Sequence, residues 1–156
     1  MAYSVRAADL ARAWDRAALT ALLDLYARDP MGGGQPLPRD VLAALPDRLA
    51  ALPHARVWLA VAPDGEPAGV AVGFLGFSTF AARPLLNLHD LAVAPAHRRR
   101  GVGRRLLAAV EDAARALGCC KVTLEVRDDN ATAQGLYRAL GYGDGAAPHR
   151  FLVKPL

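Results

Sequence analysis

The feature that most constrains the fold is a strand, a loop, a helix and a second strand that follow one another in the second half of the chain. Residues 85–93 form an apolar strand pattern, which Pro95 ends. A loop rich in arginine and glycine then leads into a helix over residues 102–117, whose apolar side chains share one face. Gly118 ends this helix, and residues 121–126 form another strand pattern. This order predicts an α/β fold.

The remaining segments add strands and helices to this framework. Residues 3–6 alternate as a strand, and residues 8–28 have helical spacing with Asp9 as the N-cap. The further predicted elements are a helix over residues 39–52, strands over 57–61 and 69–77, a short helix over 130–140 and a last strand over 149–153. We expect a mixed sheet, part antiparallel and part parallel.

Composition limits the class of protein. The chain has 156 residues, 53% apolar and 22% charged, which predicts a single domain over residues 1–156 and excludes a disordered protein. The longest apolar run, residues 68–77, is too short to cross a bilayer, and the N-terminus lacks a signal-peptide pattern. Cys119 and Cys120 are adjacent and make a poor disulfide or metal pair. We expect a reduced, cytoplasmic protein with no metal and no membrane partner.

The basic charge is concentrated in the loop before the 102–117 helix. The net charge is +4, and five of the seventeen arginines lie between residues 98 and 105. A helix N-terminus presents unpaired backbone amides and the positive end of its dipole, and it therefore favours anions. Gly101 and Gly103 remove Cβ atoms that would keep a phosphate away from those amides. Each charged hydrogen bond contributes about 1.5–3 kcal/mol, so the loop suits a pyrophosphate.

Other interpretations of this loop remain open on the residues alone. Gly101-x-Gly103 can begin a dinucleotide-binding fingerprint, although Leu106 stands where the third glycine belongs. The Gly-Lys-Ser/Thr ending of a P-loop is absent. A nucleic-acid-binding patch would be expected to carry aromatic residues among the arginines, and none are present there. A solvated surface is the remaining interpretation.

Two blocks of the sequence carry a family resemblance. Residues 91–107, with Arg98-x-x-Gly101-x-Gly103 after a strand, resemble the acetyl-CoA-binding signature of the GNAT N-acetyltransferase superfamily. Residues 130–142 resemble its Asn-x-x-Ala-x-x-x-Tyr-x-x-x-Gly-Phe/Tyr element. Residues 77–80 and 88–93 are most similar to the diamine acetyltransferase-like branch. The resemblance implies one GNAT domain with a mixed central sheet of about six to seven strands, flanked by about four helices.

The resemblance implies acetyl-CoA as the cosubstrate. Backbone groups of Leu91 and Val93 are expected to hold the pantetheine in a gap between two splayed strands, and the amides of residues 99–104 are expected to hold the pyrophosphate. Asn130 is expected near the thiol end. The complete set of expected cofactor-binding residues is Leu91, Ala92, Val93, Arg98, Arg99, Arg100, Gly101, Val102, Gly103, Arg104, Asn130 and Tyr137.

The resemblance also implies direct attack of an amine on the thioester. An amine with a pKa near ~10.4 is mostly protonated at neutral pH, so the reaction needs a proton acceptor. His89 and Asp90 are the candidate bases, and strand alternation predicts that they lie on opposite faces. The diamine branch usually has Glu-Asp at these two positions. Tyr137 is the candidate acid that protonates the departing thiolate.

The expected function is therefore acetyl transfer from acetyl-CoA to a primary amine of a small molecule. The alternatives are a protein or peptide N-acetyltransferase, a non-catalytic acyl-CoA-binding regulatory module, and, less favoured, a nucleic-acid binder. Substrate selection in the family lies largely with the first two helices and their loop, and residues 31–34 form a glycine-rich segment there. That segment suits either a mobile lid or a plain flexible connection. Dimers are common among related enzymes, so a homodimer is an expected assembly.

Overall fold

Five strands form one sheet in the computed structural model, which describes residues 2–145, 147 and 149–156. Within these residues the sheet order is β1-β2-β3-β4-β5. The strands are β1 (Ser4–Ala7), β2 (Ala55–Val61), β3 (Pro67–Ser78), β4 (Arg83–Val93) and β5 (Val122–Leu124). The α-helices are α1 (Ala13–Arg28), α2 (Arg39–Ala50), α3 (Val102–Ala116) and α4 (Ala131–Ala139).

The sheet is mixed, as predicted. The strands β1 to β4 pair antiparallel with their sequence neighbours, and β5 pairs parallel with β4 after the α3 crossover. The α/β class is therefore confirmed. The chain divides into two compact units, Met1–Leu124, which holds the sheet, and Glu125–Leu156, which holds α4. The single-domain interpretation stays a prediction.

Helices α1 and α2 pack on one face of the sheet, and α3 packs on the other. The first face holds a buried core cluster in which leucines of α1 and α2 meet apolar side chains of β2, β3 and β4. On the second face, α3 comes very close to Gly69 of β3. A Cβ at position 69 would lie 2.8 Å from the Ala92 carbonyl oxygen, 3.1 Å from Leu106 Cδ1 and 3.2 Å from Val102 Cγ1, so a larger residue would force the β4 backbone to move.

The predicted last strand is wrong, and the sheet has slightly fewer strands than the resemblance implied. The resemblance implied six to seven strands, whereas the described residues contain five. Residues 149–153 are not a strand, and Phe151, Leu152 and Val153 are 76%, 85% and 74% exposed. A strand needs a hydrogen-bonded neighbour, and no described strand pairs with this segment. Apolar β-formers alone therefore do not make it a strand.

Two boundaries also differ from the prediction. Helix α1 begins at Ala13 rather than residue 8, because the Asp9 side chain accepts a hydrogen bond from the Ala11 amide in a turn ahead of the helix. Strand β5 has three residues rather than the six predicted over residues 121–126. The residues after Leu124 leave the sheet, which shortens its parallel pairing with β4.

A buried ion pair joins β1 to α1. The fully buried carboxylate of Asp15 accepts two hydrogen bonds of 2.6 Å from the Arg6 guanidinium and one of 2.7 Å from the Asp9 amide. The Arg6 guanidinium also lies 5.6 Å from the centre of the Trp14 ring. Hydrogen bonding to Arg6 outweighs burial and lowers the pKa of Asp15 to about 2. The carboxylate is therefore ionised at neutral pH and fully satisfied.

Replacing Asp15 with alanine should lower the free energy of unfolding by about 2 kcal/mol at neutral pH, because the Arg6 guanidinium, which is 36% exposed, and the Asp9 amide would lose their shared acceptor. The depressed pKa means that the wild-type advantage is complete above pH ~4 and declines as the pH falls towards 2. Urea unfolding of both proteins between pH 7 and pH 2.5 measures this. The exposed Asp112 pairs with Arg115 on the surface of α3, and Asp112→Ala is the control, with an expected change of less than about 1 kcal/mol. Equal losses in the two variants would contradict the prediction.

Candidate functional site

A β-bulge in β4 shapes the candidate catalytic position. Val72 of β3 pairs with Asp90, but the next β3 residue, Gly73, pairs with Leu88, so His89 is an extra residue in β4. The His89 ring packs edge-on against Phe74 at 5.6 Å between ring centres. Phe74 lies on the same face of the sheet as Val72, and Val72 is the cross-strand partner of Asp90. The prediction that His89 and Asp90 lie on opposite faces is therefore wrong, because the bulge interrupts the alternation.

Asp90 is a half-buried carboxyl with an unusual environment. Burial raises its pKa above the ordinary value of 3.8, and the neighbouring His89 offsets part of that rise. It lies on the face that carries the core cluster, in the row of residues that includes Ala92. A carboxyl with a raised pKa accepts a proton more readily than an ordinary aspartate does. The position can therefore support base chemistry.

The edge of β4 that faces β5 is open beyond residue 88. The parallel pairing joins Leu86, Leu88 and the residue between them to β5, and within the described residues it extends no further. The Ala94 amide bonds to the Ala68 carbonyl of β3, and antiparallel alternation then points the backbone groups of Leu91 and Val93 towards the β5 side. Among the described residues, no strand pairs with these outward backbone groups of β4.

The loop over residues 98–101 follows a short 3₁₀ turn at Pro95–His97 and precedes α3; it is called the phosphate loop after the ligand predicted for it. Gly101 is the residue before the helix and has φ +77°, and Arg99 has φ +63°. Left-handed residues alternating with ordinary ones turn successive amides towards one point, which makes a concave anion site. A Cβ at Gly101 would meet no described atom within 4 Å, so the space in front of the helix is open.

The arginines of this region fall into two groups. Arg98 Nη2 lies 2.9 Å from Asp29 Oδ2, and Arg98 Nε donates to the Val93 carbonyl at 3.2 Å. Arg99, Arg100 and Arg104 are exposed, and no ion pair among the described residues involves them. The unpaired group supplies positive charge beside the amides of the loop. The side chain of Arg98 is instead held by the protein.

The loop over residues 29–38, between α1 and α2, is held by hydrogen bonds. It is called the acceptor-side loop because the family resemblance assigns substrate selection to this region. The Asp29 carboxylate accepts a hydrogen bond from the Met31 amide at 2.9 Å. The backbone carbonyl of Asp29 accepts from the amides of Gly32 and Gly34 at 2.8 and 3.0 Å. At the other end, the Leu37 amide donates to Asp24 of α1 at 2.8 Å. The glycines therefore form a bonded turn rather than a plain flexible connection.

The second unit contains the other predicted motif. The Asn130 side chain accepts from the Ala133 amide at 3.1 Å and so caps α4. Tyr137 is half-buried on α4, and its ring lies 5.9 Å from that of Tyr142. Gly141 has φ +89° and lets the chain turn after the helix, so that the Tyr142 amide reaches the Tyr137 carbonyl. The Asn…Tyr…Gly spacing thus has a local structural reason.

Two features of the site carry little signal in the sequence. Phe74 has only the alternation of a buried strand, and its contact with His89 depends on the bulge. The pairing of Asp29 with Arg98 joins residues 69 positions apart, which no local pattern predicts. The Pro-Met-Gly-Gly-Gly segment after Asp29 was the available hint that this loop has a defined turn.

Among the described residues, no three His, Cys, Asp or Glu side chains come together as a metal-ligand group. No helix in the same residues combines the length and apolar character of a membrane span.

Curated relatives match the chain in part. A streptothricin acetyltransferase of Streptomyces lavendulae is 39% identical over 56% of this chain and 44% of its own. The N-alpha-acetyltransferase RimI of Mycobacterium tuberculosis is 42% identical over 47% of this chain and 46% of its own. A thialysine N-epsilon-acetyltransferase of Bos taurus is 33% identical over 58% of this chain and 56% of its own. The chain spans about half the length of these relatives.

Solved structures match the whole fold. The ribosomal-protein-alanine N-acetyltransferase of Brucella melitensis superposes with a TM-score of 0.79 at 18% identity, over 98% of this chain and 99% of the other. The aminoglycoside N-acetyltransferase AAC(6')-Iy in complex with CoA superposes with a TM-score of 0.75 at 22% identity, over 99% of this chain and 94% of the other. The model of the acetyltransferase (GNAT) family matches residues 19–142, most of the sequence. The chain therefore belongs to the acetyltransferase (GNAT) family.

Proposed function

We propose that this protein transfers an acetyl group from acetyl-CoA to a primary amine of a small molecule. The observation that carries the proposal is the arrangement along β4 and α3. A half-buried carboxyl lies at the bulge, a strand edge that pairs with no described strand follows it, and the N-terminus of α3 comes next. An acyl thioester donor with an extended pantetheine arm and a pyrophosphate needs such a sequence of features along one line.

The donor side fits acetyl-CoA, which supplies the acetyl group as a thioester. The outward backbone groups of Leu91 and Val93, with Ala92 between them, suit the amides of an extended pantetheine chain. The amides of residues 99–104, which include Arg100, Val102 and Gly103, suit the pyrophosphate. Asn130 and Tyr137 are assigned to the thiol end by the family resemblance, and these assignments are proposals.

On the acceptor side, Asp90 is the proposed base. The attacking amine must lose a proton, and a carboxylate whose pKa is raised by burial takes it more readily than an exposed one. His89 lies on the same face and is exposed, so it can hold or relay the proton. Tyr137 is the proposed donor of a proton to the departing thiolate.

The acceptor class is proposed from the loop between α1 and α2 and from the relatives. The hydrogen-bonded loop over residues 29–38 favours a small amine, because a peptide acceptor would need an open groove there. The relative named for thialysine acetylation supports a small amine acceptor of the kind used by the diamine acetyltransferase-like branch. The RimI relative, an N-alpha-acetyltransferase, favours acetylation of a protein N-terminus as the second candidate. A panel of diamines, aminoglycosides and peptides, assayed by release of free thiol, separates these acceptors from one another and from a non-catalytic module. The cytoplasmic location and the homodimer stay predictions.

Asp90→Asn should lower kcat/KM for the amine by about a hundredfold or more. In the wild type, activity should rise with pH through the raised pKa of Asp90, so the acidic limb lies above the ordinary range near 3.8. Asp90→Asn should remove that limb, whereas His89→Gln should keep it. The pH dependence of kcat/KM in the three proteins measures this. Loss of the limb in His89→Gln alone would assign the base to His89 instead.

Tyr137→Phe should lower kcat by about a hundredfold, because the phenol proton for the thiolate is lost while the ring remains. The Kd of acetyl-CoA should change by less than about twofold. Steady-state kinetics and calorimetry measure the two effects. The matched control is Tyr142→Phe, which removes the hydroxyl of the neighbouring ring and should leave kcat nearly unchanged. A wild-type kcat in Tyr137→Phe would remove the tyrosine from the chemistry.

Gly103→Glu should raise the Kd of acetyl-CoA by about tenfold or more, because the added carboxylate repels the phosphates at the start of α3. Ala108→Glu adds the same charge to an exposed position further along α3 and is the matched control. Calorimetric titration with acetyl-CoA gives both values. An unchanged Kd in Gly103→Glu would place the phosphates elsewhere.

A further inference from the structure

One carboxylate joins the acceptor-side loop to the phosphate loop. Asp29 Oδ1 accepts from the Met31 amide at 2.9 Å, and Asp29 Oδ2 accepts from Arg98 Nη2 at 2.9 Å. Arg98 Nε also bonds to the carbonyl of Val93, the last residue of β4. The end of α1, the glycine-rich turn, the end of β4 and the phosphate loop therefore share a single hydrogen-bonded junction.

The two loops belong to different sides of the proposed reaction. Leu37, in the acceptor-side loop, and Tyr26, just before it, pack on the core cluster of the sheet face that carries Asp90. Arg98 is followed at once by Arg99, whose left-handed φ of +63° persists only where neighbouring contacts fix it. The junction is thus the point where order in one loop can be transmitted to the other.

The exposure of the pair argues against a role in overall stability. The side chains of Arg98 and Asp29 are 49% and 22% exposed, and ion pairs of this kind contribute little to the free energy of folding. The Met31 amide and Arg98 both lower the pKa of Asp29, so its charge is present at neutral pH. Its hydrogen bonds nevertheless fix the positions of two loops, which is a positioning role.

We propose that Asp29 and Arg98 form a positioning pair that makes acetyl-CoA and the acceptor amine bind cooperatively. The inference rests on the proposed function. Phosphates bound at the start of α3 order the phosphate loop, which holds Arg98, and Arg98 holds Asp29 and the glycine-rich turn. Bound acetyl-CoA therefore strengthens the binding of the amine. By linkage, a bound amine strengthens the binding of acetyl-CoA by the same factor.

Hydrogen exchange tests the pair without relying on acetyl transfer. Calorimetry first establishes the Kd of acetyl-CoA for the wild-type chain, and exchange is then followed in peptides covering residues 29–37. Bound acetyl-CoA should slow exchange there by about fivefold in the wild type. Asp29→Asn should lose this protection, because the amide oxygen still caps Met31 but no longer pairs with Arg98. Asp29→Glu, which keeps the charge, should restore at least part of it.

Asp24→Asn is the matched control. Asp24 holds the other end of the same loop through the Leu37 amide and pairs with Arg28, so this variant removes an equivalent carboxylate that does not touch Arg98. It should keep the protection. In kinetic assays, the KM for the amine should fall about fivefold from low to saturating acetyl-CoA in the wild type and stay nearly constant in Asp29→Asn. The double variant Asp29→Asn/Arg98→Met should be no worse than either single variant.

Three results would overturn the proposal. The first is equal protection of residues 29–37 in the wild type and in Asp29→Asn. The second is loss of protection in Asp24→Asn as large as in Asp29→Asn, which would make the effect one of general loop stability. A wild-type chain that binds no acetyl-CoA would overturn the proposed function first and this inference with it, and calorimetry separates that case from the other two.

Discussion

The extra residue in β4 is the constraint on which the candidate site depends. Ahead of His89, the side chain of Leu88 shares a face with Gly73, and behind it Asp90 shares the opposite face with Val72. A regular strand would place Leu88 and Asp90 on the same face. With the bulge, the buried leucines of β4 pack on the α3 side, while its carboxyl turns to the face covered by α1 and α2. One inserted residue thus keeps these leucines of β4 in the core and places Asp90 on the opposite face.

The parts of the fold that depend on local chemistry could be predicted from the sequence. The apolar face of α3 and its start after Gly101 follow from helical periodicity and from a glycine in the left-handed conformation. The bulge could not be predicted, because His89 and Asp90 carry no local signal for an inserted residue. The tail over residues 149–153 has the side chains of a strand, but pairing depends on a neighbour that the pattern does not contain.

The candidate site divides along the same line. The conformation of the loop over residues 98–101 depends on adjacent residues, because a glycine before a helix directs the first backbone amides of that helix. The Asp29–Arg98 pair could not be predicted, since it depends on how the end of α1 approaches the end of β4 in the folded chain. Arg98 shows the difference: its place in the motif predicts a phosphate ligand, whereas its guanidinium is bonded to Asp29 and to the Val93 carbonyl.

Asp15 and Asp90 show how one side-chain type takes two roles in this chain. Asp15 is fully buried, but three strong hydrogen bonds stabilise its charge and its pKa falls to about 2, so it cannot accept a proton near neutral pH. For Asp90, burial is the largest influence and raises the pKa, with His89 as the opposing charge. Within the described residues, no donor compensates Asp90 as Arg6 compensates Asp15. Hydrogen bonding, rather than burial alone, therefore decides whether the pKa of a carboxyl in this chain falls or rises.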